Sequence, residues 1–120
     1  MALMNPERED SISDSIAHRI NRACEIIHAT AKEKGWWDVD RSGAECIALM
    51  HSELSEALEY MRKPGPDDKL PQWPGEWVEL ADCMIRIMDY CGKYGIPIGD
   101  VIAEKHEFNT TRPYRHGKVF

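Results

Sequence analysis

The sequence has no run of about 20 consecutive apolar residues, so no segment is expected to cross a bilayer as a helix. It shows no basic N-terminal region followed by an apolar stretch and a small-residue cleavage site, and a cytoplasmic location is expected. An excess of positive charge is also missing. Against 21 Asp and Glu there are 15 Lys and Arg, a net charge of −6. That balance leaves no electrostatic footprint for a nucleic-acid polymer. Nucleotides stay open, because a bound divalent cation reverses the local sign. No CxxC pair occurs. Cys24, Cys46, Cys83 and Cys91 each lie in apolar helical surroundings and are expected as reduced core thiols rather than zinc ligands or disulfide partners. No stretch alternates as a strand would, and no internal repeat is present.

What remains is helical periodicity. The 120 residues fit one domain, with 30% charged and 42% hydrophobic residues, an ordinary globular balance. Residues 1–10 read as a loose arm. Ile12, Ile16, Ile20, Ala23, Ile27 and Ala31 then recur at threes and fours, which predicts a helix over about 11 to 34, closed by Gly35. Ser42 with Glu45 predicts a capping box for a second helix, about 43 to 63, with a stripe of Ile47, Met50, Leu54, Ala57, Leu58 and Met61. The loop PGPDDKLPQWPG follows and cannot be regular structure. A third helix, about 75 to 94, is expected to bury Trp77, Leu80, Ala81, Met84, Ile87, Met88 and Cys91, and Gly95 and Pro97 end it. A fourth, about 98 to 109, carries Ile98, Val101, Ile102 and Phe108 before a basic tail over 110–120. Four helices on short links predict an all-α four-helix bundle.

The acids are placed unusually. On a helical wheel Glu53 shares an arc with Cys46, Leu49, Ala57 and Tyr60, and Glu56 flanks it one turn on. Glu79 and Asp82 repeat the arrangement at the edge of the third helix's apolar arc. Antiparallel packing would bring the pairs face to face, where four carboxylates would repel unless a cation neutralised them. Hard divalent cations prefer such oxygens. A solvated acidic face is the bland alternative for either pair alone. A di-iron site would need Glu-x-x-His on two helices, and only Glu25-Ile-Ile-His28 matches, so His18 and His28 are read as polar-edge residues. Lys105 falls within the fourth helix's apolar arc, with Asn109 and Arg112 following. It either snorkels outward or joins a phosphate-binding trio. Trp36, Trp37 and Trp73 lie in connectors, as anchors or as a stacking wall for a nucleobase, with Trp36 or Trp37 favoured.

The stretches LMHSELSEALEYMRK, GEWVELADCMIRIMDYCGKYG and EKHEFNTTRPYRHGK resemble the MazG-like nucleoside triphosphate pyrophosphohydrolases, over about residues 12 to 118. That all-α NTP pyrophosphatase superfamily also contains dCTP pyrophosphatases and dimeric dUTPases. Its signature is EExxE followed by ExxD. Glu53 and Glu56 match the second and last acids of the first half, Glu79 and Asp82 match the second half, and Ser52 stands where the first glutamate would be. The resemblance implies a Mg²⁺-dependent enzyme, with Mn²⁺ able to substitute. It implies hydrolysis of a nucleoside triphosphate to the monophosphate and pyrophosphate. It also implies a homodimer or homotetramer whose site can borrow residues from a second protomer. Lys105, Asn109 and Arg112 look like the family's phosphate-side residues. The rival class is a non-catalytic helical oligomer whose acids bind metal or nucleotide in a structural or regulatory role.

Overall fold

The computed structural model describes residues 11–119, and the N-terminal arm expected over 1–10 lies outside them. Four α-helices follow one another: α1 Asp14–Glu33, α2 Gly43–Arg62, α3 Gly75–Tyr94 and α4 Ile98–Thr110. A short 3₁₀ turn, Tyr114–Gly117, follows α4. Among the described residues there is no strand, only an isolated bridge between Pro66 and Pro74. The fold is all-α, as the periodicity predicts. No helix among these residues is long and apolar enough to cross a membrane.

Local chemistry sets the helix ends. Ser13 caps α1, its Oγ accepting from the Ile16 N–H at 3.3 Å, so the helix starts at Asp14 rather than near 11. Ser42 caps α2, accepting from the Glu45 N–H at 3.1 Å. The Glu45 carboxylate answers through the Ser42 hydroxyl, at 3.4 Å, instead of the backbone amide a full capping box would use. Gly95 closes α3 in the left-handed conformation, with φ of 64°.

The helices pack in the spatial order α2, α3, α1, α4, with α3 between α2 and α1 and α4 laid against α1. Two close approaches fix that order. Gly92 lets α3 press onto α1: a Cβ there would lie 2.5 Å from the Cys24 carbonyl oxygen and 2.6 Å from His28 Cβ. At the start of α4, the Gly99 N–H donates to Asn21 Oδ1 at 2.7 Å, and Asn21 Nδ2 donates to Asp100 Oδ1 at 2.9 Å. One asparagine of α1 thereby anchors the first turn of α4.

The core is narrow. Its buried apolar residues are Ala17, Cys24, Cys46, Met50, Ala57, Cys83, Cys91 and Ala103. All four cysteines are free and buried, as expected. The large apolar residues expected inside are a correction. Ile47, Leu54, Leu58 and Met61 on α2 are exposed, and so are Trp77, Leu80, Met84 and Ile87 on α3, with Met61 at 63% and Trp77 at 55%. The reason is geometric. The α2–α3 seam runs along the arc of Cys46, Met50, Glu53 and Ala57, which turns the bulkier stripe outward. On α4, Val101, Ile102 and Phe108 are likewise exposed. The radius of gyration, 17.0 Å, exceeds the roughly 14 Å of a compact chain this long.

The connector between α2 and α3 is ordered despite its prolines. Its ends are tied by the Gly75 N–H to the Gly65 carbonyl and the Asp67 N–H to the Trp73 carbonyl, each at 2.9 Å. Asp67 is buried, and its Oδ2 accepts from the N–H groups of Lys69 at 3.0 Å and Leu70 at 2.8 Å, an Asx-type turn.

The glycines yield a direct test. Gly92→Ala should destabilise by about 1–3 kcal/mol, because the new methyl meets backbone that cannot yield. Gly65 has nothing within 4 Å of an added Cβ, so Gly65→Ala should stay within about 0.5 kcal/mol of the parent. Urea denaturation of both variants measures this, and equal midpoints would show that α1 and α3 do not meet at Gly92.

Candidate metal centre and its adjoining cavity

Glu53 and Glu56 are one turn apart on α2, and the α2–α3 seam carries Glu79 opposite them. One carboxylate oxygen from each of the three lies within 4.8 Å of the others. Two oxygens on opposite sides of one Mg²⁺ are about 4.2 Å apart, so the three acids lie close to the spacing that one cation requires. Asp82 sits one turn further along α3, outside that group of three but within its field.

The electrostatics are those of crowded acids. Glu79 is half-buried as a residue, yet its Oε2 is sealed from solvent with no hydrogen-bond partner while the acids are ionised. Burial first, then hydrogen bonding to Glu56 and Glu53, then the charges of Glu56 and Asp82, push Glu79 up to about 8. Protonation answers the missing partner, since a neutral Glu79 can donate to its neighbours. Asp82 is also raised, by burial and then by the charges of Glu53 and Asp67, with Arg86 opposing. Burial would raise Glu53 as well, but hydrogen bonds from Arg86 and Glu79 and the charge of Arg86 bring it below 4.5. An all-oxygen donor set containing an orphaned buried oxygen fits a hard divalent cation.

Ser52, which stands where the resemblance expects a first glutamate, is exposed and donates its hydroxyl to the Leu49 carbonyl at 2.6 Å. It is turned back on its own helix. Arg86 is the group that spacing arguments missed. Its Nε donates to Glu53 Oε1 at 2.7 Å, an ion pair in which Glu53 is 10% exposed and Arg86 30%.

Beside the acids opens a cavity of about 570 Å³, within the range of small-molecule sites. Glu53, Asp82, Arg86, Trp36, Trp37, Arg41 and Tyr90 are among the residues that line it. The two tryptophans chosen from the sequence therefore share a recess with two of the four chosen acids. Trp36 is exposed and flanked by guanidinium groups, with Arg41 Cζ 5.6 Å and Arg86 Cζ 5.9 Å from its ring centroid. Trp37 is fixed more firmly. Its Nε1–H donates to both oxygens of Asp89, at 2.9 and 3.1 Å, and His28 Nδ1 meets Asp89 Oδ1 at 2.8 Å. The His28 and Tyr94 rings stand edge-on to Trp37. His28 is thus a half-buried edge residue that also orients its partners. Trp73 instead pairs with Trp77, centroids 6.0 Å apart, and does not line the cavity.

Lys105, Asn109 and Arg112 are not brought to the acids within one chain. They ride on the α4 end of the molecule, and none lines the cavity. Within the chain, Lys105 Nζ lies 4.8 Å from the Phe108 ring centroid and Arg112 Cζ 5.6 Å, so both cations meet that ring. Asn109 Oδ1 is buried without a hydrogen-bond partner. Asp89 and Arg86 were recoverable from the pattern: 79, 82, 86 and 89 recur at threes and fours along one face of α3. No family model, curated protein or solved structure matches the chain.

The raised Glu79 gives a pH dependence of defined sign. Unfolded, this group ionises near 4.5, and folded, near 8, so between these values the folded chain keeps a proton the unfolded chain has lost. Its stabilising contribution is complete below about 4.5 and is lost as the pH rises toward 8. Cation-free protein should show a melting temperature that falls from pH 5 to pH 8. Glu79→Gln should flatten that fall and melt higher at pH 8. An unchanged slope in the variant would remove Glu79 as its source.

Proposed function

We propose that this chain is a MazG-like nucleoside triphosphate pyrophosphohydrolase, dependent on Mg²⁺ or Mn²⁺, that releases a nucleoside monophosphate and pyrophosphate. The observation that carries the reading is the shared recess. Converging carboxylates, one of them with a sealed and unpartnered oxygen, adjoin a cavity walled by two tryptophans. Glu53, Glu56, Glu79 and Asp82 would hold the cation and shed the proton that Glu79 keeps in its absence. A bound Mg²⁺ supplies charge neutralisation on the phosphates and an acidified water. One of these carboxylates orients the attacking water in line with the scissile phosphoanhydride bond. Trp36 and Trp37 flank the base, Trp37 held by Asp89 so that its ring plane is set before ligand arrives. Arg86 reaches both Glu53 and Trp36, where the negative phosphates would pass, and Arg41 adds charge beside Trp36.

Self-association belongs to the same reading. The exposed apolar faces of α2 and α3 exceed the isolated apolar residues of an ordinary surface, and burying them against a second copy completes a core that is narrow in one chain. A second copy is also the route by which Lys105, Asn109 and Arg112 would reach a phosphate. The absence of that trio from the chain's own cavity is what favours the competing reading, a cation- and nucleotide-binding oligomer without turnover.

A panel of ribo, deoxy and modified triphosphates with Mg²⁺, assayed for pyrophosphate, separates the two. Turnover is expected with at least one substrate and lost on chelation. Glu56→Gln and Asp82→Asn, confirmed as folded, should lower kcat/KM by orders of magnitude. Parent rates in either would sink the assignment. Sedimentation at micromolar concentration should show a dimer or tetramer. Lys105→Met should lower kcat/KM by about 2–4 kcal/mol of transition-state stabilisation, with the melting temperature held. Unchanged kinetics would take Lys105 out of the site.

A further inference from the structure

Arg86 stands at the junction of two sites. Its Nε is bonded to Glu53 Oε1 at 2.7 Å, inside the three-acid cluster. Its Cζ lies 5.9 Å from the Trp36 ring centroid, and the residue lines the cavity. A guanidinium presents its N–H donors as a planar fork that matches phosphate oxygens, and Glu53 engages it through Nε alone, so a phosphate offers Arg86 a better-matched partner. A divalent cation and Arg86 would compete for Glu53: both are positive, and the carboxylate has a single negative charge to offer them. Displacing Arg86 without replacing its partner leaves a largely covered guanidinium unpaired, which is costly. An anion in the cavity removes that cost.

We propose that Arg86 couples cation binding at Glu53, Glu56 and Glu79 to anion binding in the Trp36 cavity. This rests on the reading of the acids as a cation site. Without an anion, Arg86 holds Glu53 and weakens the metal site. With phosphate oxygens in the cavity, Arg86 turns from Glu53 to the anion, and the cluster gains a ligand. Each ligand then raises the affinity of the other by the same factor. The consequence is a chain that resists loading with metal alone and assembles its site when metal and phosphate arrive together.

The test is binding rather than turnover. Free Mn²⁺ is followed by its paramagnetic resonance signal, with Mn²⁺ alone and again with inorganic phosphate, on wild type, Arg86→Gln and Arg86→Lys. Inorganic phosphate makes the result independent of base preference. Arg86→Gln, its fold checked by circular dichroism, should bind Mn²⁺ alone at least about fivefold more tightly than wild type, the low end of ordinary coupling. The enhancement by phosphate should be correspondingly smaller in the variant. Direct Mn²⁺–phosphate contact is common to both proteins and cancels in the comparison. Arg86→Lys keeps the charge, so its affinity for Mn²⁺ alone should stay near wild type, while its phosphate enhancement falls because an ammonium lacks the fork. If Arg86→Gln does not fold, the Arg86→Lys enhancement decides, and one equal to wild type overturns the proposal. So does Mn²⁺ binding in Arg86→Gln no tighter than wild type, or an equal phosphate enhancement in the two, none included. Failure of every protein to bind Mn²⁺ would instead withdraw the cation site itself.

Discussion

A buried carboxylate between two helices has few tolerable environments, and Glu53 has one of them. It lies on the α2 arc that meets α3, where Cys46, Met50 and Ala57 are its neighbours, and Arg86 supplies the charge and hydrogen bond that keep it ionised. The remainder of the structure accommodates that placement. With an ion pair in the seam, the helices close there on Met50 as the one large apolar side chain of the α2 arc. Small residues and thiols fill the space beside it, and the bulky stripe of α2 turns away. The same pair holds Arg86 at the mouth of the cavity, beside Trp36. Removing either partner would leave the other charge covered and unpaired, a costlier defect than losing an exposed ion pair.

The acids and the tryptophans come from different logic but meet in one recess because α3 carries both connections. Its polar face runs from Glu79 and Asp82 through Arg86 to Asp89, nearly three turns of helix. One end is crowded with like charge, and Glu79 answers by holding a proton. At the other end Asp89 is satisfied by Trp37 and His28. Repulsion is thus concentrated where a cation would relieve it, and the aromatic wall is tied down by bonds of its own.

Much of this was legible in the sequence. Ser42, Gly35 and Gly95 mark helix ends by chemistry that acts within a few residues, so the boundaries of α2 and α3 followed directly. The position of Glu53 among apolar neighbours was likewise readable, because a wheel depends only on helical geometry. Which of two apolar arcs on α2 would be buried was not, since both are apolar and the choice depends on the facing helix. Ile47, Leu54, Leu58 and Met61 were misplaced for that reason. Arg86 was passed over although it shares a face with Glu79, Asp82 and Asp89, because the sequence does not show its partner on α2. Lys105 was placed by the character of its own helix, but α4 packs on α1, so an apolar arc there points toward neither α2 nor α3.

The connector between α2 and α3 acts as a caliper. Residues 63–74 are tied end to end by backbone bonds and braced by the buried Asp67 carboxylate, so the span from one helix to the next is fixed. Surface loops ordinarily absorb insertions at little cost. Here an added residue that propagated into α3 would shift it axially by about 1.5 Å and rotate it by about 100°, carrying Glu79 out of opposition to Glu53 and Glu56. The length of this loop is therefore as much a determinant of the site as the carboxylates themselves. Sequence drift in it should be confined to substitutions, with insertions and deletions excluded, although it is the most proline-rich stretch of the chain.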